Sequence, residues 1–334
     1  MRILVTGGGG FLGSNIARAL HSQGHEVVSF SRGDYPWMAR SGIESIPGDL
    51  ADFSAVSGAV RGCDVVFHVG AKAGIWGTYD EYYRANALGT ENVIKSCQEH
   101  KVDRLIYTCS PSVVFDGTDQ EGVDESKPYP DKFLADYPKT KAMAEKMVVE
   151  ANGQDLATVS LRPHLTLGPG DHHLMPRIID RARKGRLQLV GDGKNKVDTV
   201  YIDNCVDAHI LAMERLKPGA IISGKPYFIT NGEPMEVKEI MDSILASAGL
   251  PPVTKKIPQW VAYGVGAMME TAYRLMGRSD EPLMTRFLAL ELSTAHWFDI
   301  SAARRDLGYE PRVSMEEGFR RMGEHFKKEA GSSE

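Results

Sequence analysis

The stretch Arg2-Ile3-Leu4-Val5-Thr6-Gly7-Gly8-Gly9-Gly10-Phe11-Leu12-Gly13 decides the fold. Its first five residues have an apolar centre and predict a short buried strand, which the glycines end at once. Leu12, Ile16, Ala19 and Leu20 then take up helical spacing, and Gly24 closes that helix. Strand, glycine turn and helix in this order form a phosphate cradle. Gly7 permits the tight turn, Gly10 the close approach of a pyrophosphate, and Gly13 the close packing of helix on sheet. The helix start adds free N–H groups and the positive end of the dipole. The expectation is a dinucleotide site that includes Gly7, Gly10, Phe11, Leu12 and Gly13.

Working outward, strands are expected at Glu26 to Ser31, Ile43 to Ile46, Asp64 to Val69, Arg104 to Cys109 and Ala157 to Arg162. Helical stretches run from Tyr79 to His100 and from about Tyr137 to Ala151, with Asp136 as a cap and Pro138 in the first turn. Repeated βα units with continuous apolar strands imply an α/β fold, a Rossmann doubly wound parallel sheet covered on both faces. After Pro163 the loops lengthen. A long helical region from Pro258 to Ala295 predicts a smaller, mainly helical C-terminal lobe over the carboxyl edge of the sheet. The expected division is a Rossmann domain at 1–165 that regains the chain at 199–216, a substrate lobe at 166–198 and 217–326, and a polar tail at 327–334.

The 334 residues are ordinary in composition, 42% hydrophobic and 25% charged. A net charge of -5 with no basic stripe argues against a nucleic-acid partner. Cys63, Cys97, Cys109 and Cys205 form no C-x-x-C and read as reduced, buried thiols of a cytoplasmic protein. Met1-Arg2 leads straight into the first strand, which is no signal peptide. No segment has the length of a transmembrane helix. Ile257 to Met269 comes nearest and reads as a buried or lid helix, with weak membrane-surface contact as the alternative.

In Asp136-Tyr137-Pro138-Lys139-Thr140-Lys141, Tyr137 and Lys141 stand at i and i+4 and share a helix face. A nearby ammonium favours the phenolate, so Lys141 is expected to lower the pKa of Tyr137 into the range of a useful acid or base. The second strand ends in Ser31-Arg32 without the acid that binds the ribose hydroxyls of NAD. Arg32 suits a 2′-phosphate instead, which favours NADP(H), with NAD(H) the alternative.

With these residues, the chain resembles an extended short-chain dehydrogenase/reductase along nearly its full length. Gly48-Asp49-Leu50 is similar to the family's adenine-contacting turn, and His68-Val69-Gly70-Ala71 to the stretch beneath the cofactor. Asn86-Ala87-Leu88-Gly89-Thr90-Glu91-Asn92 resembles its N-x-x-G-T-x-N helix, and Arg162-Pro163 with Gly168-Pro169-Gly170-Asp171 its R-P…G-P-G-D segment. The resemblance implies cofactor contacts from Asp49, Leu50, Gly70, Ala71, Lys72, Asn86 and Pro163. It also implies a third catalytic residue beside Tyr137 and Lys141, which matches Ser110, with Ser112 as the fallback.

Within the family, Tyr107 to Gly117 and Arg162-Pro163-His164 resemble 3β-hydroxysteroid and sterol 4α-carboxylate dehydrogenases. Arg32 to Pro36 and Ala71 to Gly77, with Lys72 and Trp76, are more similar to bacterial 2-alkyl-3-oxoalkanoate reductases of long-chain olefin biosynthesis. That resemblance implies NADPH-dependent reduction of a β-keto acid to the 2-alkyl-3-hydroxy acid. Lys72, His164, His172 and His173 are the candidate partners of the substrate carboxylate. His172-His173 lacks a third ligand, and no metal is expected. Trp260, Tyr263, Met268, Met269, Phe287 and Trp297 are candidates for a lipid-channel wall. The rival functions are a decarboxylating sterol dehydrogenase, a nucleotide-sugar dehydratase or epimerase, and a catalytically silent NADP-binding regulator. Similarity to the family also implies a lipid-like substrate, a homodimer and complexes with other olefin-pathway enzymes.

Overall fold

The computed structural model describes residues 1–172 and 174–331, so His173 lies outside the described residues. Seven strands make the central sheet: β1 (Arg2–Thr6), β2 (Glu26–Ser31), β3 (Glu44–Pro47), β4 (Val65–His68), β5 (Arg104–Thr108), β6 (Ala157–Pro163) and β7 (Lys225–Ile229). Their spatial order is β7-β6-β5-β4-β1-β2-β3, with every pairing parallel. The order reverses between β1 and β4, and a crevice opens at their carboxyl ends. Ile3, Leu4, Val5, Val65, Val66 and Phe67 are fully buried, as strands covered on both faces require.

Helices α1 (Phe11–Ser22), α2 (Gly89–His100), α3 (Asp136–Glu150), α4 (Leu174–Arg183), α5 (Ile202–Arg215), α6 (Gln259–Leu275), α7 (Arg286–Glu291) and α8 (Met315–Gly331) matter to the site or to the lobe division. The helical run from Tyr79 is continuous but changes pitch. A π-turn at Tyr83–Leu88 joins the short helix Tyr79–Tyr82 to α2. The N-cap of α3 is Ala135, without a side-chain bond, and Asp136 is the first helical residue. An acid at that position favours the helix through the dipole without acting as a cap.

Several boundaries differ from the sequence expectation. β7, inside the stretch expected to belong to the substrate lobe, pairs with β6 and extends the main sheet. Conversely, Gln120–Val123 pairs with His296–Phe298 in a separate four-stranded sheet. Strands this short carry little periodicity, and their partners lie far away in sequence. The region from Pro258 to Ala295 is two helices, α6 and α7, broken over 276–285. α8 continues to Gly331, past the start of the expected tail, because Phe319 and Met322 bury its apolar side.

α6 turns its apolar residues outward. Trp260 is 78% exposed and Met268 67%, while Ala262, Gly266 and Glu270 face the protein. Small residues let α6 pack closely against Thr285, where a Cβ on Gly266 would lie 2.6 Å from its carbonyl carbon. Trp260, Tyr263 and Met268 therefore form no channel wall, and the expectation of a buried helix fails for that face. Among the described residues no helix is long and apolar enough to cross a membrane.

Candidate active site

The crevice at the switch point is a cleft of about 1090 Å³ that runs from Arg32 past the glycine turn to Phe287. Gly7 sits at φ +69°, and a Cβ there would lie 2.6 Å from the Cα of Gly70. A Cβ on Gly13 would lie 2.2 Å from the carbonyl oxygen of Gly7. Glycine at these two positions is what lets the turn, α1 and the end of β4 meet. α1 starts at Gly10 with no side-chain cap and no acid in its first turn. Its first N–H groups and positive dipole end are thus left for an anion in the cleft. That cradle fits the pyrophosphate of a nicotinamide dinucleotide.

A hydrogen-bond network ties the glycine turn to the opposite wall. The Gly70 N–H donates to Thr6 Oγ1 (3.1 Å), whose hydroxyl donates to His68 Nδ1 (2.7 Å). His68 Nε2 then donates to Thr90 Oγ1 (2.9 Å), and Thr90 to the Asn86 carbonyl (2.6 Å). These partners assign the tautomer. Burial, with Lys141 adding to it, pushes His68 down to about 3, so the ring is neutral. Asn86 accepts from the Lys72 N–H (2.8 Å) and donates to the Lys72 carbonyl (3.2 Å) and to Thr140 Oγ1 (3.1 Å). Expected at the cofactor, Asn86 instead lies behind the wall and fixes the Lys72 loop.

Tyr137 and Lys141 both line the cleft from one face of α3. Lys141 is 2% exposed, donates to the Thr108 carbonyl (2.6 Å), and lies 4.3 Å above the Tyr107 ring. Burial lowers its pKa. The Tyr137 phenol, expected to be lowered by Lys141, is instead raised. Burial is the main cause, and Cys109, Glu291 and Tyr82 add to it, while the Ser110 hydroxyl pulls the other way. The Lys141 ammonium is committed to Thr108, so desolvation of the phenol prevails. Ser110 caps the turn Pro111–Val114, with its Oγ 3.0 Å from Ser112 Oγ and accepting from the Ser112 N–H (3.2 Å).

Ser31, Arg32, Asp49 and Leu50 line the far end of the cleft, and Ala71, Lys72 and Pro163 line its walls. Arg32 is exposed and makes no hydrogen bond or ion pair among the described residues. Lys72 lies 3.6 Å from Glu81 and over the Tyr82 ring. His164 lines the cleft, but burial and the neighbouring His296 push it well below its ordinary value. It is a neutral imidazole, not the cation expected for a carboxylate. His172 is exposed and outside the cleft. Trp76 lies in a neighbouring pocket beside Arg274 and Phe287, its indole donating to the Arg278 carbonyl (3.1 Å). Phe287 alone of the expected channel residues lines the cleft.

Tyr35 and Glu291 are cleft residues that the sequence alone does not single out. Tyr35 covers the glycine turn so closely that a Cβ on Gly9 would meet its ring. Glu291 lies one helical turn after Phe287 and also faces the cleft. A single acid in Phe287-Leu288-Ala289-Leu290-Glu291-Leu292 is the signal that could have found it, since an acid in an apolar helix needs a reason.

The family model for the 3-beta hydroxysteroid dehydrogenase/isomerase family matches residues 4–258. A Stenotrophomonas maltophilia protein named 2-alkyl-3-oxoalkanoate reductase is 53% identical over 325 residues, covering 96% of this chain and 98% of its own length. A Shewanella oneidensis protein of the same name is 48% identical, covering 95% of this chain and 84% of its own. The fold is also that of a Bacillus cereus UDP-glucuronic acid 4-epimerase solved with NAD, at TM-score 0.76 and 23% identity, covering 98% of this chain and 99% of that one. The nicotinamide-dependent chemistry of such enzymes suits a cleft in which a phosphate cradle faces Ser110, Tyr137 and Lys141. The chain belongs to the 3-beta hydroxysteroid dehydrogenase/isomerase family, within the extended short-chain dehydrogenase/reductases.

Proposed function

We propose that the protein reduces the ketone of a 2-alkyl-3-oxoalkanoate to the 2-alkyl-3-hydroxy acid with NADPH, as a step in hydrocarbon synthesis. The observation that carries this is 53% identity, over nearly both full lengths, to a protein named for that reaction. When bound, the nicotinamide supplies the hydride. Gly7, Gly10, Phe11, Leu12 and Gly13 hold the phosphates, while Asp49, Leu50, Gly70 and Ala71 shape the rest of the cofactor site. Tyr137, kept protonated by its burial, gives its proton to the alkoxide oxygen, which Ser110 stabilises by hydrogen bonding. Lys141 anchors the end of β5 and holds positive charge beneath the reacting oxygen. The protein works as a cytoplasmic homodimer.

Arg32 selects the cofactor by pairing with the 2′-phosphate. Arg32→Ala should raise the KM for NADPH roughly 10- to 100-fold, the worth of a charge-assisted hydrogen bond. The KM for NADH should stay within about twofold. Steady-state kinetics with both cofactors checks this, and equal losses would remove Arg32 from the selection.

The second reading is a 3β-hydroxysteroid or sterol-4α-carboxylate dehydrogenase, favoured by the family match and by a relative of that type at 34% identity. One assay separates the two. A racemic 2-alkyl-3-hydroxy fatty acid and a 4α-carboxysterol are each offered with NADP and NAD, and products are read by mass spectrometry. Ketone from the fatty acid with NADP supports the reductase. Oxidation of the sterol alone, with loss of CO2, overturns it.

A further inference from the structure

A β-keto acid brings a carboxylate beside the ketone, yet the catalytic end of the cleft offers it no obvious cation. Lys141 is held by the Thr108 carbonyl, Lys72 is paired with Glu81 (3.6 Å), and His164 is neutral. Arg177, at the rim, is paired with Glu281. What does face the cleft near Tyr137 is another carboxyl group, that of Glu291. It ends α7, is half-buried, and has no hydrogen-bond or ion-pair partner for its side chain among the described residues.

Its backbone is held firmly. His296 Nε2 donates to the Glu291 carbonyl (2.8 Å), and His164 Nε2 then donates to His296 Nδ1 (3.2 Å). This chain of two imidazoles fastens the end of α7 to the wall beside β6. Phe287, one turn earlier on the same face, packs on Phe115 and supplies an apolar neighbour for the substrate.

We propose that Glu291 is the residue that recognises the substrate carboxylate, by donating a hydrogen bond to it from its own carboxylic acid group. This rests on the β-keto acid reading above. An acid–carboxylate pair is a strong, short hydrogen bond and needs no cation. It also suits this substrate chemically. Loss of CO2 would break the bond between the carboxylate and C2, moving its electron pair onto the ketone as an enolate. A donor bound to the carboxylate holds the negative charge there and so opposes that loss.

The protonation state is consistent. Burial alone raises Glu291 to about 7. No neighbouring charge lowers it, the Lys141 ammonium being held at the Thr108 carbonyl. Tyr137 on α3 is neutral, and burial keeps His164 and His296 neutral as well. Asp119 is taken by the Ala295 N–H, and Arg286 by Glu270 on α6. Because the folded pKa is raised, the donor form is present below about pH 7 and is lost above it.

The test compares a 2-alkyl-3-hydroxy acid with its methyl ester, both oxidised with NADP from pH 6 to 9. Wild-type kcat/KM for the acid, divided by that for the ester, should fall about tenfold per pH unit above pH 7, since kcat/KM reports the free enzyme. Glu291→Gln keeps a donor that does not titrate, so the ratio should be flat and within about threefold of the wild-type value at pH 6. Glu291→Leu should lose roughly 10- to 100-fold for the acid at pH 6 while the ester changes little. A flat wild-type ratio overturns the proposal. So does a Gln variant as impaired as the Leu variant, or equal losses for acid and ester. If wild-type enzyme oxidises only the carboxysterol, it is the β-keto acid reading that fails, and the two failures are distinct.

Discussion

Tyr137→Phe is expected to lower kcat by about 10³- to 10⁴-fold, near the upper end of what general acid catalysis contributes. NADPH affinity should remain within a few-fold. The variant removes one hydroxyl and little else. The ring keeps its edge contact with Tyr82, whose centroid lies 6.4 Å away. The phosphate cradle on α1 is untouched. Without the phenol no positioned proton reaches the developing alkoxide, and Ser110 can stabilise the oxyanion but must keep its own proton to do so. The direction of the Tyr137 shift fits reduction in particular. A phenol raised by burial stays protonated throughout the neutral range and is ready to donate. Stopped-flow NADPH oxidation gives the rate, and quenching or calorimetric titration gives the affinity. Near-wild-type turnover would remove Tyr137 from the chemistry.

The parts of the site that depend on local sequence were legible, and those that depend on long-range packing were not. The cradle can be read because strand, turn and helix are contiguous, and Gly7 and Gly13 have steric duties that only glycine meets. The Tyr137–Lys141 pair can be read because helical spacing places both on one face. What spacing could not disclose is where the Lys141 ammonium goes. Its partner, the Thr108 carbonyl, lies 33 residues away, and that contact leaves desolvation to set the Tyr137 pKa. The resemblance of residues 86–92 to the family's N-x-x-G-T-x-N helix points Asn86 at the cofactor, but its side chain is spent on the Lys72 backbone. The apolar residues of α6 read as a channel wall from the sequence, because hydrophobicity does not say which face is inside. The small residues Ala262 and Gly266 were the better guide. Glu291 reaches Tyr137 only through tertiary folding and carried no motif at all.

Glu145→Ala is expected to be the most destabilising single change around the site, costing about 3–5 kcal/mol. Tyr137, Lys141 and Glu145 stand at i, i+4 and i+8, so one face of α3 carries the phenol, the ammonium and this carboxylate. Glu145 is fully buried and pairs with Arg162 of β6 through Nε (3.0 Å) and Nη2 (2.7 Å). Ser160 and Tyr129 donate to it as well (2.6 and 2.8 Å). Burial alone would raise the Glu145 carboxyl, but the Arg162 guanidinium and these donors override it and hold it below its usual value. Removing the carboxylate strands a buried guanidinium and two hydroxyls, and that uncompensated burial is the source of the cost. Chemical denaturation read by circular dichroism measures it. A loss below about 1 kcal/mol would show that water enters and replaces the partner. Glu145→Gln separates clamp from chemistry. It keeps acceptor and shape but loses the charge that ties α3 to Arg162 of β6. Its kcat should fall more than its NADPH affinity, because a small displacement of Tyr137 costs reactive geometry while the cradle on α1 stays in place.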